Sequence, residues 1–319
     1  MYRNVSSCAV SVLAQNAPVG WAFLIQGAVY LAFYLPSLFV IVRYMLGTAP
    51  VYKIMVAVGI CDLLLNVSLS VFMAYLSITG LTVDETTGAA CDPITADRMN
   101  LAGAVFNGLW LSNTSLCTVL AVNRAVTQYS NATAERLFGG EKVLAWLAGP
   151  VVWGQLVGTG YVFMVSSCCY TYYHPGLGFF VLAGQFGLIL NALNNFANVA
   201  IILICYAVVI RGVEKTASVA TEGTAQLDAA TANKQRAATV TSMAIVLVTA
   251  STMIGYILIP IILSNRPWIF TLMMFVSQNT TGCNGIIYIA LNTTIRHKVK
   301  QIFVKNQVSA QATGMIHLY

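Results

Sequence analysis

The stretch from Val143 to Ile210 contains no Lys, Arg, Asp or Glu. A water-soluble domain has about a quarter charged residues, so this stretch cannot form the ordinary surface of one. A helix that crosses a bilayer needs roughly 20 apolar residues, and the stretch is long enough for two such helices. The letters SSCC at 166–169 and HPG at 174–176 mark a turn in its middle. We therefore predict two membrane-spanning helices joined by this turn.

The rest of the chain has the same character. Of its 319 residues, 58% are hydrophobic and 8% are charged, and the mean hydropathy is +0.76. The charges leave seven apolar runs, which predict an all-α membrane protein, a seven-transmembrane helix bundle. The predicted spans lie near residues 20–42, 54–80, 99–123, 143–165, 181–210, 237–264 and 267–291. We expect one transmembrane domain over residues 1–305 and a short flexible cytoplasmic tail over 306–319.

The distribution of the cations predicts the orientation of the bundle. With the N-terminus outside, the outer segments hold Arg3, Arg98 and Arg266. The inner segments hold the other thirteen, which are Arg43, Lys53, Arg124, Arg136, Lys142, Arg211, Lys215, Lys234, Arg236, Arg296, Lys298, Lys300 and Lys305. Cations favour the cytoplasmic side, so the N-terminus is predicted to be extracellular. The net charge of +6 is explained by this topology and does not indicate a nucleic-acid partner.

The outer segments contain the candidates for covalent modification. Six Asn-x-Ser/Thr sequons occur, and we expect only Asn4 to be glycosylated, because it alone is both outside the bilayer and lumenal. The eight cysteines show no CxxC metal pattern. Cys91 can pair with Cys168 or with Cys169 on the oxidising side, and the sequence does not choose between them. The four cysteines in or near spans are expected to be inert packing residues.

Asp62 is the only carboxylate within a predicted span. An ionisable group in hydrocarbon is costly and marks a functional interior site by default, although a neutral Asp that only packs helices is the alternative. Further polar residues occur in the third and seventh spans, and they are Asn113, Thr280, Thr281 and Asn284. If they face Asp62, the group forms a polar pocket that can hold water or a sodium ion.

Several motifs follow one another along the spans. Arg124 ends the third span in LAVNRAV, and the seventh ends in NGIIYIALNTTIR at 284–296. After it, Ile295, Val299, Ile302 and Phe303 have helical spacing with cations between them, which predicts a short amphipathic helix near 293–305 on the inner leaflet. Together with Asp62, this order resembles a rhodopsin-like G-protein-coupled receptor. The resemblance assigns activation roles to Asn123, Arg124, Tyr206, Pro260, Gly285 and Tyr288.

The sequence also departs from that pattern. Asn123 stands where the family has Asp or Glu before the arginine, and Gly285 replaces the proline of Asn-Pro-x-x-Tyr. Met99 replaces the usual cysteine of the third helix, and no Asn marks the first. The segment NRAVTQYSNATAERLFGGEKVLAWL resembles the nematode serpentine chemoreceptor classes, such as classes T and X. Gly285 is expected to weaken the seventh helix locally, as proline would.

The resemblance implies a chemosensory receptor of the plasma membrane that binds a small molecule and signals through a heterotrimeric G protein. Counting from the motifs places six residues on the ligand-facing side, and they are Phe106, Asn107, Trp110, Ile261, Met274 and Gln278. That face has no carboxylate, so an amine ligand is not expected. The apolar members can equally be packing residues, whereas the buried amides of Asn107 and Gln278 need partners.

A polytopic transporter or channel that uses Asp62 as an ion or proton relay is the competing interpretation. Against it, the halves show no inverted repeat, and the helix count is odd. An enzyme is not expected, because no His/Asp/Glu cluster lies at a common depth, and we expect no cofactor apart from the sodium ion. The GQLVG segment at 154–158 fits a close helix-packing motif. It can be a dimer face or a contact within the chain, and we favour the contact within the chain.

Overall fold

The computed structural model describes residues 10–12, 16–47, 49–79, 82–84, 93–164, 171–174, 179–182, 185–220, 239–255, 258 and 268–302. Its helices are α1 (Ala17–Tyr44), α2 (Pro50–Val67), α3 (Met73–Thr79), α4 (Pro93–Tyr129), α5 (Asn131–Phe138), α6 (Lys142–Met164), α7 (Gln185–Ala220), α8 (Thr239–Gly255), α9 (Trp268–Leu291) and α10 (residues 293–302). Two short antiparallel sheets pair β1 (Val10–Val12) with β2 (Thr82–Asp84) and β3 (Thr171–His174) with β4 (Phe179–Leu182).

Seven helical rods of the described residues overlap the seven predicted spans. The second rod consists of α2 and α3, joined by a π turn at Ser68–Phe72. Among the described residues, four rods are long and apolar enough to cross a membrane: Ala17–Tyr44, Pro50–Thr79, Leu101–Tyr129 and Ile189–Gly212. Helices α6 and α9 have 23 and 24 residues, which at 1.5 Å per residue also reach across the hydrocarbon core. The structure therefore confirms the predicted all-α seven-helix bundle, to which the two short sheets are added.

The π turn interrupts the second rod at two serines. Ser68 Oγ donates to the carbonyl oxygen of Leu64 at 2.8 Å, and Ser70 Oγ donates to that of Asn66 at 2.5 Å. Such bonds compete with the backbone ladder and favour local widening of a helix. Ser70 lies directly against Gly27 of α1, where any Cβ would overlap its side chain. The turn thus lies at the contact between α1 and the second rod.

Helix α4 is the central element of the bundle. Its most apolar 18-residue stretch is 78% buried, against 33% for that of α1, and it packs against α2, α6 and α7. Gly154 and Gly158 of α6 lie against Ser112 and Gly108 of α4 so closely that a Cβ at either position would clash. The GQLVG segment therefore packs within the chain, as the sequence predicted.

Helices α1 and α9 also approach closely, through Gly285. A Cβ at this position would lie 2.6 Å from the Cα of Tyr34 and 2.7 Å from its backbone nitrogen. Ser37 Oγ donates to the carbonyl oxygen of Gly285 at 3.2 Å. Helix α9 continues through Gly285, and the expected local weakening stays a prediction. The residue is small because the backbone of α1 abuts it.

Two short helices pack against the core at the bundle end that carries Arg124. The first is α5, where Phe138 is fully buried and its ring lies 4.9 Å from that of Trp146. The second is α10, whose first turn is capped by Asn292 Oδ1, which accepts from the backbone N–H groups of Thr294 and Ile295 at 3.1 and 3.2 Å. Residues 303–319, including the predicted end of α10 at 305 and the tail, lie outside the described residues.

Candidate functional site

Asp62 lies at the centre of the bundle and is 0% exposed. Its Oδ1 accepts a hydrogen bond from Asn113 Nδ2 of α4 at 3.0 Å. Its Oδ2 accepts from Asn284 Nδ2 of α9 at 2.7 Å and from Tyr34 OH of α1 at 2.6 Å. The structure therefore brings Asn113 and Asn284 to Asp62 and joins α1, α2, α4 and α9 at one carboxyl group. Such donors offset part of the cost of burying a carboxylate.

Tyr34 was not predicted as a partner of Asp62. The first span has no Asn at this depth, and Tyr34 supplies the donor from α1 instead. Its ring packs edge-on against Tyr288, with centroids 6.1 Å apart. A buried Tyr hydroxyl usually has a hydrogen-bond partner, so a tyrosine in an apolar span is the signal that could have found it.

Several buried polar atoms around Asp62 have no hydrogen-bond partner among the described residues. They include the side-chain carbonyl oxygens of Asn113 and Asn284 and the hydroxyl of Tyr288. A carboxylate beside unpaired amide oxygens is a set of hard oxygen ligands, which suits a small cation or water. The sodium ion that the sequence suggested at this group stays a prediction.

Thr280 and Thr281 are buried, but their hydrogen bonds do not go to Asp62. Thr280 Oγ1 bonds to Thr252 Oγ1 of α8 and to the carbonyl oxygen of Val276 at 2.9 Å. Thr281 Oγ1 donates to carbonyl oxygens of its own helix at 3.2 and 3.4 Å. The Asp62 site, as the structure has it, therefore consists of Tyr34, Asn113 and Asn284, while Thr280 links α9 to α8.

Arg124 is buried at the end of the third span, with 6% of its surface exposed. Its Nε donates to Ser242 Oγ of α8 at 3.0 Å, and its Nη2 has no partner among the described residues. No described carboxylate forms an ion pair with it. Ser242 was not predicted, because a serine in an apolar span carries no signal that it faces Arg124. The bond links the third span directly to the sixth.

Three other residues with predicted activation roles are buried near this end. Tyr206 of α7 and Tyr288 of α9 belong to the same apolar cluster, and neither hydroxyl has a partner among the described residues. Asn123 is also buried, and its carbonyl oxygen accepts from Thr127 Oγ1 at 2.7 Å. The structure thus places unpaired hydroxyls from two helices in the same buried core cluster.

The predicted ligand-facing residues do not form a single pocket in the described part of the chain. Phe106 and Met274 meet in one apolar cluster with Phe23 of α1. Trp110 lies in the larger core, and Asn107 is half-buried. Gln278 Nε2 donates to Ser70 Oγ at 2.7 Å and to the carbonyl oxygen of Phe23 at 3.0 Å. Its amide thus binds α1 and the π turn.

Some predictions lie outside the described residues. They concern Asn4, Cys91, Cys168, Cys169, Pro260 and Ile261. The described cysteines, Cys61, Cys117, Cys205 and Cys283, are free thiols that are buried or half-buried, in agreement with the predicted packing role.

A polar ladder between α4, α6 and α7 was also missed. Thr118 Oγ1 donates to Asn198 Oδ1 at 2.6 Å, and Asn194 Nδ2 donates to Thr114 Oγ1 at 3.3 Å. Trp153 Nε1 of α6 donates to Asn194 Oδ1 at 3.4 Å. The helical spacing of asparagines in NALNNFAN at 191–198 is the signal that could have revealed it.

Comparison with solved structures defines the class of this bundle. A total of 707 chains match, among them the crystal structure of squid rhodopsin, with a TM-score of 0.72 at 13% sequence identity over 90% of this chain and 85% of that one. The chain therefore has the rhodopsin-like seven-helix fold. The model of the serpentine type 7TM GPCR chemoreceptor family Srt matches residues 4–312, so the chain belongs to that family. No curated protein sequence matches the chain.

The family confirms the resemblance inferred from the motifs. The protein is a multi-pass membrane receptor of the G-protein-coupled chemosensory class. The family description agrees with the receptor interpretation of the chain rather than with the transporter interpretation.

Proposed function

We propose that this chemoreceptor signals from the plasma membrane, with its N-terminus outside, by releasing Arg124 toward a heterotrimeric G protein. The observation that carries the proposal is the Arg124 Nε–Ser242 Oγ hydrogen bond of 3.0 Å between α4 and α8. It holds the guanidinium of Arg124 inside the bundle in the described state. An outward movement of α8 breaks this bond and opens the bundle end where the cations are concentrated.

Two buried hydroxyls without partners favour the opened state in this mechanism. Tyr206 and Tyr288 are buried without hydrogen-bond partners among the described residues. A buried hydroxyl without a partner costs free energy, so a state that hydrates or pairs it is favoured. Water that enters as α8 moves out can satisfy both hydroxyls and the Nη2 of Arg124. The opened state thus loses the Arg124–Ser242 hydrogen bond and gains hydrogen bonds between water and these buried groups.

The Asp62 site connects this opening to the rest of the bundle. Its carboxyl group binds Tyr34, Asn113 and Asn284, so a shift of α1, α4 or α9 alters the same set of hydrogen bonds. A sodium ion at Asp62 would neutralise the carboxylate and hold these helices in the described arrangement. The hydrogen bonds at Asp62 then transmit a shift of one helix to the others. The proposed mechanism includes no catalytic step.

The ligand is proposed to be a small non-amine molecule that enters from outside between the third, fifth, sixth and seventh spans. Residues 101–129 contain no Asp or Glu, so the third span offers no salt bridge for an ammonium group. The proposed contacts are Phe106, Asn107, Trp110, Ile261, Met274 and Gln278. Since the amide of Gln278 already binds Ser70 and the backbone of Phe23, a ligand that reaches it must exchange these bonds.

The test is nucleotide exchange by purified Gα classes on membranes that contain the receptor, with and without a pool of small molecules. We expect one class to respond and Arg124→Ala to abolish the response at matched surface expression. Currents or uptake driven by a solute, with no exchange on any Gα class, would contradict the proposal.

A further inference from the structure

A polar group lies on the lipid-facing side of the bundle, where α1 and α9 meet. Asn279 of α9 is exposed, and Gln26 and Tyr30 of α1 are half-buried beside it. Helix α9 begins at Trp268 and ends at Leu291, so Asn279 is roughly 17 Å from either end. An amide at this depth faces hydrocarbon, where a polar atom without a partner is costly. The hydrogen bonds of Asn279 therefore show what this surface lacks.

The hydrogen bonds within the chain leave one donor and one acceptor unused. Gln26 Nε2 donates to the carbonyl oxygen of Phe275 at 3.4 Å, and this oxygen can only accept, so the nitrogen of Gln26 faces α9. The same Nε2 donates to Asn279 Oδ1 at 2.6 Å, and the Tyr30 hydroxyl donates to that Oδ1 as well. Asn279 Nδ2 and Gln26 Oε1 make no hydrogen bond to the described residues. A free donor and a free acceptor thus lie in the same lipid-facing group.

Asn279 also lies in the middle of a narrow lipid-facing stripe on α9. The members of the stripe are exposed or half-buried and follow one another in steps of four and three residues. They are Leu272, Val276, Asn279, Cys283, Ile286 and Ala290. Two parallel helices pack along a seam with this spacing, and a single Asn in such a seam fixes its register and the number of chains. Amide side chains also join helices by hydrogen bonds within membranes. The stripe therefore has the pattern of a helix-packing surface.

We propose that a second copy of the receptor docks on this stripe, in a two-fold symmetric dimer in which Asn279 Nδ2 of each copy donates to Gln26 Oε1 of the other. Two copies in one bilayer have the same orientation, so the two-fold axis runs along the membrane normal and each residue meets its counterpart surface at its own depth. A second copy therefore presents a free acceptor at the depth of the free donor. A lipid tail has neither group, and an unrelated helix would need a polar residue at this one depth. The dimer does not depend on the ligand or on the G protein.

The test is subunit counting by single-molecule photobleaching of the purified full-length receptor in phospholipid vesicles, at several ratios of receptor to lipid. Asn279→Leu removes the free donor. Val276→Trp places a bulky ring on the stripe and leaves the hydrogen bonds of Asn279 in place. The matched controls are Ser251→Leu on α8 and Ile204→Trp on α7, which make the same kinds of change at lipid-facing positions outside the stripe. Thermal unfolding of each variant is measured in parallel. If Asn279→Leu does not fold, Val276→Trp decides the test.

We expect the wild type to form dimers and Asn279→Leu to weaken dimerisation roughly tenfold, because two symmetric amide hydrogen bonds between membrane helices are lost. Val276→Trp should weaken it at least as much, because the ring keeps the two copies of α9 apart, while both controls keep the wild-type value. The wild type as a monomer at every density would overturn the proposal, and so would unchanged dimerisation in Val276→Trp.

Disulfide crosslinking in membranes checks which surface the two copies share. In a Cys283→Ser background, Val276→Cys should crosslink to its own copy on oxidation, because a residue near a two-fold axis meets itself. Ile204→Cys, which is lipid-facing on α7, is the control and should not crosslink. Crosslinking at Ile204→Cys without crosslinking at Val276→Cys would show that the copies meet elsewhere and would overturn the proposal.

Discussion

A carboxyl group with no exposed surface needs partners, and Asp62 has three of them. Each donates from a different helix, so the residue fixes the relative positions of α1, α4 and α9. Removing one donor leaves the buried carboxylate charged and short of a hydrogen bond. Replacing the carboxylate by a neutral side chain of the same shape also removes the cost of burying a charge. The two kinds of substitution therefore separate the packing role of Asp62 from its ionic role.

We expect Asp62→Asn to leave the fold intact and to abolish any effect of sodium on agonist-free nucleotide exchange. The amide keeps one acceptor, and the Tyr34 hydroxyl can turn to accept from it, so stability should change by no more than about 1–2 kcal/mol. The measurement is exchange in sodium and in potassium buffers, with thermal unfolding in parallel. Tyr34→Phe is the control, because it removes one donor and keeps the carboxylate. Equal sodium sensitivity of Asp62→Asn and the wild type would return Asp62 to a packing role.

Arg124 has a neutral acceptor in Ser242 and a neutral neighbour in Asn123, so we expect appreciable activity without agonist. Ser242→Ala should raise basal exchange roughly tenfold or more, since a hydrogen bond from a charged donor contributes about 1.5–3 kcal/mol to the closed state. Asn123→Asp should lower it by adding a carboxylate beside Arg124. Both are measured as agonist-free GTPγS exchange at matched surface expression.

Ser251→Ala is the control for the serine substitution, because it changes a lipid-facing hydroxyl on the same helix. An unchanged or lowered rate in Ser242→Ala would show that the closed state depends on apolar packing of Tyr206 and Tyr288 instead.

At this scale the sequence predicted the centre of each site but not all of its partners. Asp62 with Asn113 and Asn284 could be predicted, because Asp62 is the only carboxylate within a predicted span and buried amides need partners. Tyr34 and Ser242 could not be singled out, because tyrosine and serine occur often in such spans and only the rotation of each helix decides where they point. Thr280 and Thr281 show the same limit, since they lie one residue apart and face different neighbours.

At the scale of the helices, the contact between α1 and α9 depends on Gly285. We expect Gly285→Ala to destabilise the purified receptor by about 1–3 kcal/mol, because its Cβ would meet backbone atoms of Tyr34, which cannot turn aside. The measurement is the midpoint of thermal unfolding in detergent. Gly149→Ala is the matched control and should be neutral or stabilising, since its Cβ has open space and alanine is the better helix former. Equal midpoints for the two variants would show that α1 can yield at this contact.

The positions of the helices could be predicted where residue composition marks their ends. Charged and turn-forming residues mark the span ends, and the described rods begin and end within a few residues of most predictions. The larger differences are at α4 and α7, which extend as helices through polar residues beyond the apolar run. The close contact at Gly285 was not predicted, because sequence alone shows a loss of helix propensity and does not show which backbone lies against the residue.

At the scale of the whole molecule, the orientation predicts a single glycan. We expect Asn4 alone to carry one, so Asn4→Gln should remove the mobility shift that glycosidase treatment produces. The structure gives a reason why two other sequons are not expected to carry a glycan. Asn113 binds Asp62 and Asn292 caps α10, and both side chains are buried. Asn131→Gln at the Arg124 end is the matched control and should leave the shift unchanged. A glycan that persists in Asn4→Gln would reverse the proposed topology.

The π turn at Ser68–Phe72 has a consequence for how this chain is aligned with others. Buried residues in the second rod recur at Asn66, Ser70 and Ala74, every four residues rather than every 3.6. In an uninterrupted α-helix this spacing would rotate the face by about 40° at each step, and the wider turn absorbs the difference. A relative with a regular second helix must therefore carry one residue fewer to keep both halves of the rod in register. An alignment of the two without a gap would pair each residue from Met73 to Thr79 with a residue of the relative that is one position away from its structural equivalent.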